Sequence, residues 1–249
     1  MERPYIRRVM LRQDAGLDSY LRDLPVIRYL LRNHSLDFTQ SVTFLVGENG
    51  TGKSTLLEAI AVAYGFNPEG GTINFHFSTA DSHSGLYKHL TLEKAGFAKD
   101  GFFLRAESFY NVASDIDKMD SEPSFDPPVI NSYGGVSLHM QSHGESFLAL
   151  VHNRFGGNGL YILDEPEAAL SPSRLMTLMA EINALVKKNS QFIIATHSPI
   201  LLAFPHAQIY ELSDCGIESK AYQDTEHYQL TKQFLNNPEK MLQYLLDEE

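Results

Sequence analysis

Apolar residues in this chain fall into short unbroken runs, closed by glycine or by acidic pairs, that alternate with stretches of helical spacing. Val42-Thr43-Phe44-Leu45-Val46 reads as a buried strand. A helix pattern follows from Lys53 through Ala63 and stops at Gly65. Glu145 to Phe155 is a second helix pattern, ended by Gly156-Gly157-Asn158-Gly159, and Leu160-Tyr161-Ile162-Leu163 is the next buried strand. Ser171 then caps a helix with Pro172 in its first turn, and Leu175, Leu178, Met179, Ile182 and Leu185 form its apolar stripe. Phe192 to Thr196 is another buried strand, with an apolar helix start after Pro199. Phe102 to Ala106 reads as a strand, while Gln208 to Leu212 and Ile217 to Tyr222 form a hairpin around Asp214-Cys215-Gly216. Tyr5 to Arg12 and Val26 to Leu31 carry the pattern of edge strands. Leu230 to Leu246 predicts amphipathic helices broken near Pro238. Strands alternating with helices imply an α/β fold with a mainly parallel sheet covered by helices.

The region from Asn67 to about Val136 breaks this rhythm and is rich in Gly, Ser, Asp and His. Within it, Ser114 to Pro128 holds Asp115, Asp117, Asp120, Glu122, Asp126 and three prolines, which predicts a surface loop. The acids do not make a calcium loop, because the glycine turn and the closing glutamate are missing. No internal repeat or heptad pattern is visible.

Composition narrows the class. The chain has 249 residues, 43% hydrophobic and 20% charged, an ordinary globular balance. No apolar run approaches the ~20 residues of a membrane span, and Met1 to Arg12 lacks a signal-peptide core. The single cysteine, Cys215, excludes an internal disulfide and suits a reducing cytosol, so the expected location is cytoplasmic, away from membranes. A formal net charge of −11 argues against non-specific nucleic-acid binding by the whole surface. A local basic patch of Arg3, Arg7, Arg8, Arg12, Arg22, Arg28 and Arg32 keeps nucleic acid possible.

The candidate chemistry sits at the strand ends. Gly47-Glu48-Asn49-Gly50-Thr51-Gly52-Lys53-Ser54 fits G-x-x-x-x-G-K-[ST], and its strand–loop–helix setting is that of a phosphate-binding loop. Loop amides and a helix N-terminus make a nest for anionic phosphates. Lys53 is expected to reach the β- and γ-phosphates, and Ser54 to hold Mg²⁺, with Thr55 beside it. Leu160-Tyr161-Ile162-Leu163-Asp164-Glu165-Pro166 delivers two carboxylates to the C-terminal end of a buried strand, where such sheets bind ligands. Asp164 fits the Mg²⁺ shell and Glu165 a general base for water. His197 ends the next strand, placed to meet a γ-phosphate or the catalytic water. Ser142-His143-Gly144-Glu145 opens a helix, as a capping box and as a second place for a γ-phosphate. Metal binding by His139, His143 and His152 is not supported by their spacing.

Taken in order, the phosphate loop, Ser142-His143-Gly144-Glu145, Leu163-Asp164-Glu165-Pro166 and His197 resemble an ABC-type ATPase. The family's signature is usually L-S-G-G-Q; here Gln141 replaces the Leu, His143 the first Gly and Glu145 the Gln. Ser146-Phe147-Leu148 and Glu167-Ala168-Ala169-Leu170-Ser171-Pro172 depart from the transporter pattern, and with Glu48-Asn49 they look like the soluble SMC-, RecF- and OLD-like branch and its small stand-alone ATPases. The resemblance implies a P-loop fold, one ATPase domain over residues 1–249 with a helical signature lobe within about 67–155, and ATP and Mg²⁺ as cofactors. It also implies a head-to-tail homodimer in which Lys53 of one copy and Ser142, Gly144 and Glu145 of the other share a nucleotide. Members often act with a partner protein in DNA maintenance or anti-phage defence. A transporter's nucleotide-binding subunit and an ATP-sensing module with little turnover are the alternatives. The family's Mg²⁺-contacting Gln has no counterpart between Lys53 and Gln141; Glu107, after the strand Phe102 to Ala106, is the natural replacement and predicts slow turnover. Tyr5, Tyr29 and Phe38 are candidates to stack on adenine.

Overall fold

The structure, a computed structural model, describes residues 4–12, 16–73, 84–106, 109–121 and 127–246. Along the chain these form β1 (Ile6–Leu11), α1 (Ser19–Asp23), α2 (Pro25–Asn33), β2 (Ser35–Asp37), β3 (Val42–Gly47), α3 (Lys53–Tyr64), β4 (Leu90–Lys94), β5 (Asp100–Arg105) and α4 (Phe109–Ser121). Then follow α5 (His143–Arg154), β6 (Gly159–Asp164), α6 (Pro172–Lys187), β7 (Gln191–Ala195), α7 (Pro199–Leu202), β8 (Gln208–Ser213), β9 (Gly216–Ser219), α8 (Glu226–Asn236) and α9 (Pro238–Leu246).

A six-stranded sheet runs β5-β6-β7-β3-β8-β9, parallel except for the antiparallel edge strand β9. Parallel pairing brings the C-terminal ends of β3, β5, β6 and β7 to one rim, with β7 between β3 and β6. A smaller antiparallel sheet, β2-β1-β4, stands apart from it.

Every residue of β3, β6 and β7 is buried, because both faces of the large sheet are covered. Leu45, Phe103, Ile162 and Ile193 point to the side of α2, α3 and the small sheet, where Val9, Ile27, Leu30 and Ile60 close the core. Their neighbours Phe44, Tyr161, Leu163 and Ile194 point to α5 and α6 and meet Phe147, Leu150, Leu178 and Ile182. Each such side chain contributes about 1.5–3 kcal/mol by leaving water.

One polar clamp fastens the far end of α5 to the sheet. Asp100, opening β5, accepts from Arg154 Nη1 at 2.8 Å, from Gly156 N–H at 2.8 Å and from the Tyr161 hydroxyl at 2.7 Å. Burial pushes its carboxyl up, but these donors outweigh burial and hold it below the usual carboxylate range. Burial, with Asp100 beside it, pushes the Tyr161 phenol up.

Two elements differ from the sequence expectation. Val26 to Leu31 lies inside the helix α2, not in an edge strand; Pro25 sits at its start, and Val26, Ile27 and Leu30 make one buried helical face. Ser114 to Ser121 belongs to α4 and not to a loop, since Val112, Ala113 and Ile116 are buried on one side while Asp115, Asp117 and Asp120 are only partly buried. The last two helices, α8 and α9, bury none of their own side chains, although the N-cap Thr225 is fully buried and accepts from Tyr228 N–H.

Candidate functional site

The phosphate loop joins β3 to α3 through backbone that side chains would not permit. Gly47 has φ +144°, and a Cβ there would lie 2.0 Å from the Leu212 carbonyl oxygen of β8. Gly52 has φ +94°, and its Cβ would meet Val26 Cγ1 at 2.5 Å. Val26 N–H also donates to Thr51 O, so α2 braces the loop. Glu48, Asn49 and Gly50 form its exposed tip, and the Thr51 hydroxyl donates back to Glu48 O at 2.9 Å. Gly52 caps α3 without a side chain, which leaves the first-turn amides at Lys53, Ser54 and Thr55 facing the loop.

Lys53 is buried and its ammonium donates to Gly47 O at 2.7 Å and Glu48 O at 2.9 Å. Burial lowers its pKa; Glu165, Asp164, Glu48 and Glu167 pull the other way without cancelling the effect. Ser54 Oγ donates to Asp164 Oδ1 at 2.9 Å. A hydroxyl and a carboxylate on neighbouring elements are hard oxygen donors of the kind that suits Mg²⁺, so the residues present fit that ion.

Glu165 follows Asp164 in left-handed backbone, φ 49° and ψ 54°. Its N–H is held by Ala195 O at the end of β7, which anchors this turn of backbone at the rim. Oε1 lies 3.3 Å from His197 Nε2. The His197 N–H donates to the Glu167 carboxylate. The structure therefore brings Lys53, Ser54, Asp164, Glu165 and His197 to one rim, because their strands end there.

Three residues at this rim or at the nearby start of α5 carry no sequence signal. Arg105, at the end of β5, pairs with Glu58 of α3 at 2.8 Å and lies 3.7 Å from Asp164 Oδ2. Arg174 of α6 donates to Ser142 Oγ at 3.2 Å and Glu145 Oε1 at 3.1 Å. His227 of α8 touches His197. Their partners are 47, 32 or 29, and 30 positions away in sequence, so no local motif contains them.

At the start of α5 the capping box forms: Glu145 Oε2 accepts from Ser142 N–H at 3.1 Å and from its hydroxyl at 2.6 Å. Those bonds, chiefly from the hydroxyl, hold the exposed Glu145 carboxyl below its usual range. Gly144 packs so closely that a Cβ would sit 2.4 Å from Arg174 Nη1 and 3.0 Å from Ala169 O. His143 borders a cleft of ≈ 400 Å³ together with Ser54, Arg105, Asp164, Glu165 and Ala169. Ser142, Gly144 and Glu145 are not among its lining residues. Glu107 lies outside the described residues. Of the adenine candidates, Phe38 is buried in the core and the Tyr5 hydroxyl donates to Asn189 O; Tyr29 is partly exposed beside Gly216. Of the arginine set, Arg8 pairs with Asp37 and Arg28 donates to Asp23 O, while Arg3 lies outside the described residues.

Comparison with known proteins bears on the fold that carries this site. An AAA-domain family model matches residues 26–101, and a second, described as "AAA domain, putative AbiEii toxin, Type IV TA system", matches residues 138–203. Among curated proteins, the chain is 28% identical over 165 residues to the cytochrome c biogenesis ATP-binding export protein CcmA of Rhizobium johnstonii, covering 63% of this chain and 75% of that one. It is 31% identical over 113 residues to the "Retron Vc95 probable ATPase" of Vibrio cholerae, covering 39% of this chain and 22% of that protein. A xylose import ATP-binding protein of Moorella thermoacetica is 26% identical over 166 residues, 61% of this chain. The chain spans 33% of that relative's length. Among solved structures, an ATP-binding cassette of an ABC transporter superposes with TM-score 0.51 at 15% identity, covering 98% of this chain and 99% of that one. An SMC head domain bound to a winged-helix domain of ScpA gives 0.50 at 14% identity, covering 88% and 98%. The shared feature at this distance is the fold.

Proposed function

We propose that this chain, a P-loop ATPase of the AAA-domain, ABC/SMC-like kind, binds Mg²⁺–ATP on Gly47–Ser54 and hydrolyses it through Glu165, with a second copy completing the site from its own Ser142 and Gly144. The observation that carries this reading is the convergence of Lys53, the Ser54–Asp164 pair and the Glu165–His197 pair on one rim. Glu48, Asn49, Gly50 and Thr51 offer loop amides to the phosphates, with Gly52 and Thr55 flanking the charged pair. Lys53 leaves its two loop carbonyls for the β- and γ-phosphate oxygens, a stronger charge-assisted contact. Ser54 and Asp164 would hold Mg²⁺, which neutralises phosphate charge when bound; Glu107 is a further proposed ligand. Glu165 takes the proton of the attacking water, and His197 presents a donor to the γ-phosphate.

A homodimer accounts for the second half-site. The start of α5 exposes Ser142, with Glu145 and Arg174 holding the turn, while Gly144 beside it is buried against Arg174 and Ala169. The domain reading is one ATPase unit over 1–249 with the signature helices as a lobe. The test is Glu165→Gln. ATP affinity is expected to persist while hydrolysis falls about 10²–10⁴-fold, and an ATP-bound dimer should accumulate in size-exclusion light scattering. Unchanged turnover with no trapped dimer would remove the catalytic assignment.

We further propose that the cycle controls a partner protein in the cytoplasm, in DNA maintenance or anti-phage defence. The retron ATPase relative and the family model named for a toxin–antitoxin system support this direction. The curated relatives named for sugar import and cytochrome c biogenesis export favour a transporter subunit instead, against which stand the Ser146-Phe147-Leu148 and Glu167-Ala168-Ala169 variants. Among the described residues no helix is long and apolar enough to cross a membrane. Pull-down of the Glu165→Gln variant with ATP from the native host separates the two: a membrane permease selects transport, a soluble protein or nucleic acid selects control.

A further inference from the structure

His197 has a neighbour that no motif announces. His227, in the first turn of α8, places Nε2 3.1 Å from His197 Nδ1, with ring centroids 5.3 Å apart and a 44° tilt. The other nitrogen of His197, Nε2, lies 3.3 Å from Glu165 Oε1, within reach of its charge but not aligned as a hydrogen bond. A lone pair beside a carboxylate is repelled and an N–H is attracted, so the proton of the neutral ring belongs on Nε2. Nδ1 is then an acceptor, and His227 Nε2 must be the donor between the two rings. That leaves His227 Nδ1 without a proton. This atom, like His197 Nε2, is buried and makes no hydrogen bond among the described residues; an acceptor tolerates that state better than an orphaned N–H, and at His197 Nε2 the charge of the Glu165 carboxylate 3.3 Å away compensates the proton.

We infer that His227 is a positioning residue: its Nε2–H holds His197 in the tautomer that keeps an N–H on Nε2, beside the Glu165 carboxylate and free for a γ-phosphate, and so ties α8 to the hydrolytic centre. The inference rests on the hydrolysis reading above. The surroundings keep His227 neutral: burial and then His197 lower its pKa, with Lys53 in the same direction, against Glu48 and Glu211. Its place is fixed from below. Thr225, the cap of α8, is fully buried, and Glu226 N–H donates to Glu211 Oε1 at 2.8 Å. Glu211 belongs to β8 and pairs in register with Val46, next to the phosphate loop. The rest of α8 faces Glu48, Asn49 and Thr51 only across an open cleft, through Gln229, Leu230 and Gln233, so His227 is its direct contact with the hydrolytic centre.

The test compares His227→Phe, His227→Gln and His197→Ala in the full chain, with kcat, nucleotide affinity and ¹⁵N spectra of labelled histidines. His227→Phe keeps a ring but removes the donor; it should lower kcat roughly tenfold or more with nucleotide affinity unchanged, and His197 should become a mixture of tautomers. His227→Gln puts an amide N–H near the Nε2 position and should restore kcat to within about threefold. Parent-like kcat in His227→Phe, equal loss in both variants, or a parent His197 protonated on Nδ1 would each overturn the inference. If His197→Ala hydrolyses ATP like the parent, the hydrolytic role of His197 fails first and the inference goes with it; loss in His197→Ala but not in His227→Phe sinks the inference alone.

Discussion

The two halves of the proposed site are built by different means. The phosphate loop is locked by packing: β8 presses on Gly47, α2 presses on Gly52, and Lys53 is buried with its charge on two loop carbonyls. The start of α5 is held by polar contacts at the surface, from Glu145 to Ser142 and from Arg174 to both. Buried packing gives one arrangement, whereas exposed charge pairs contribute under about 1 kcal/mol each and are screened by salt. The backbone of the first half is thus fixed in place, with only the Lys53 ammonium having to change partners for a phosphate, whereas the second half can exchange its side-chain partners for another acceptor, such as a phosphate presented by a second copy.

The largest effect should follow from attacking the locked half. Lys53→Ala removes the ammonium that the phosphates would receive. Nucleotide affinity is expected to fall at least roughly 30-fold, about 2 kcal/mol, with hydrolysis lost, as read by calorimetry with ATP. An affinity within a few-fold of the parent would mean that the loop amides alone hold the nucleotide and that the buried lysine serves only the loop.

A second, intermediate effect separates the two ends of α5. Its far end is clamped by Asp100 to Arg154, so Asp100→Asn leaves Arg154 poorly paired and should cost about 3 kcal/mol of unfolding free energy. The pH dependence has a definite sign. The folded carboxyl titrates below its ordinary value, so its contribution is full above that value and is lost as pH falls through the depressed one. The parent should therefore lose more stability on acidification than Asp100→Asn, by denaturant unfolding at neutral and acid pH. Parallel curves would show that the clamp is no stronger than the surface contacts at the other end.

The same contrast explains what the sequence made legible. β3, β6, β7, α3 and α6 have long apolar runs or stripes dictated by a two-sided core, and they lie where the pattern puts them. Lys53, Ser54, Asp164, Glu165 and His197 meet because parallel strands bring their ends to one rim, and that follows from strand order alone. Val26 to Leu31 misleads because five residues of Val, Ile, Tyr and Leu around Arg28 fit a strand as well as a helix, and only Pro25 at the first position tips the balance. Ser114 to Ser121 misleads because the acids of α4 mask the buried Val112, Ala113 and Ile116. Arg105, Arg174 and His227 were invisible for another reason: each acts through a partner on a different element, a relation set by packing and absent from local spacing.

The smallest effect tests the surface-held half. Ser142→Ala removes the hydroxyl shared by Glu145 and Arg174 and should cost about 1 kcal/mol of stability, the usual worth of an N-cap. Arg174→Ala should cost less, since both members of its pair are partly exposed. Neither residue lines the cleft at Asp164 and Glu165. Nucleotide affinity of a dilute single copy should therefore stay within about twofold of the parent in both variants. Turnover at high protein concentration should fall in Ser142→Ala, because the hydroxyl is then asked to meet the other copy's phosphate. A clear loss of affinity in the dilute Ser142→Ala protein would place Ser142 on the nucleotide of its own chain. The exposed start of α5 would then be the second wall of a single site, and the case for a shared one would rest on nothing in its geometry.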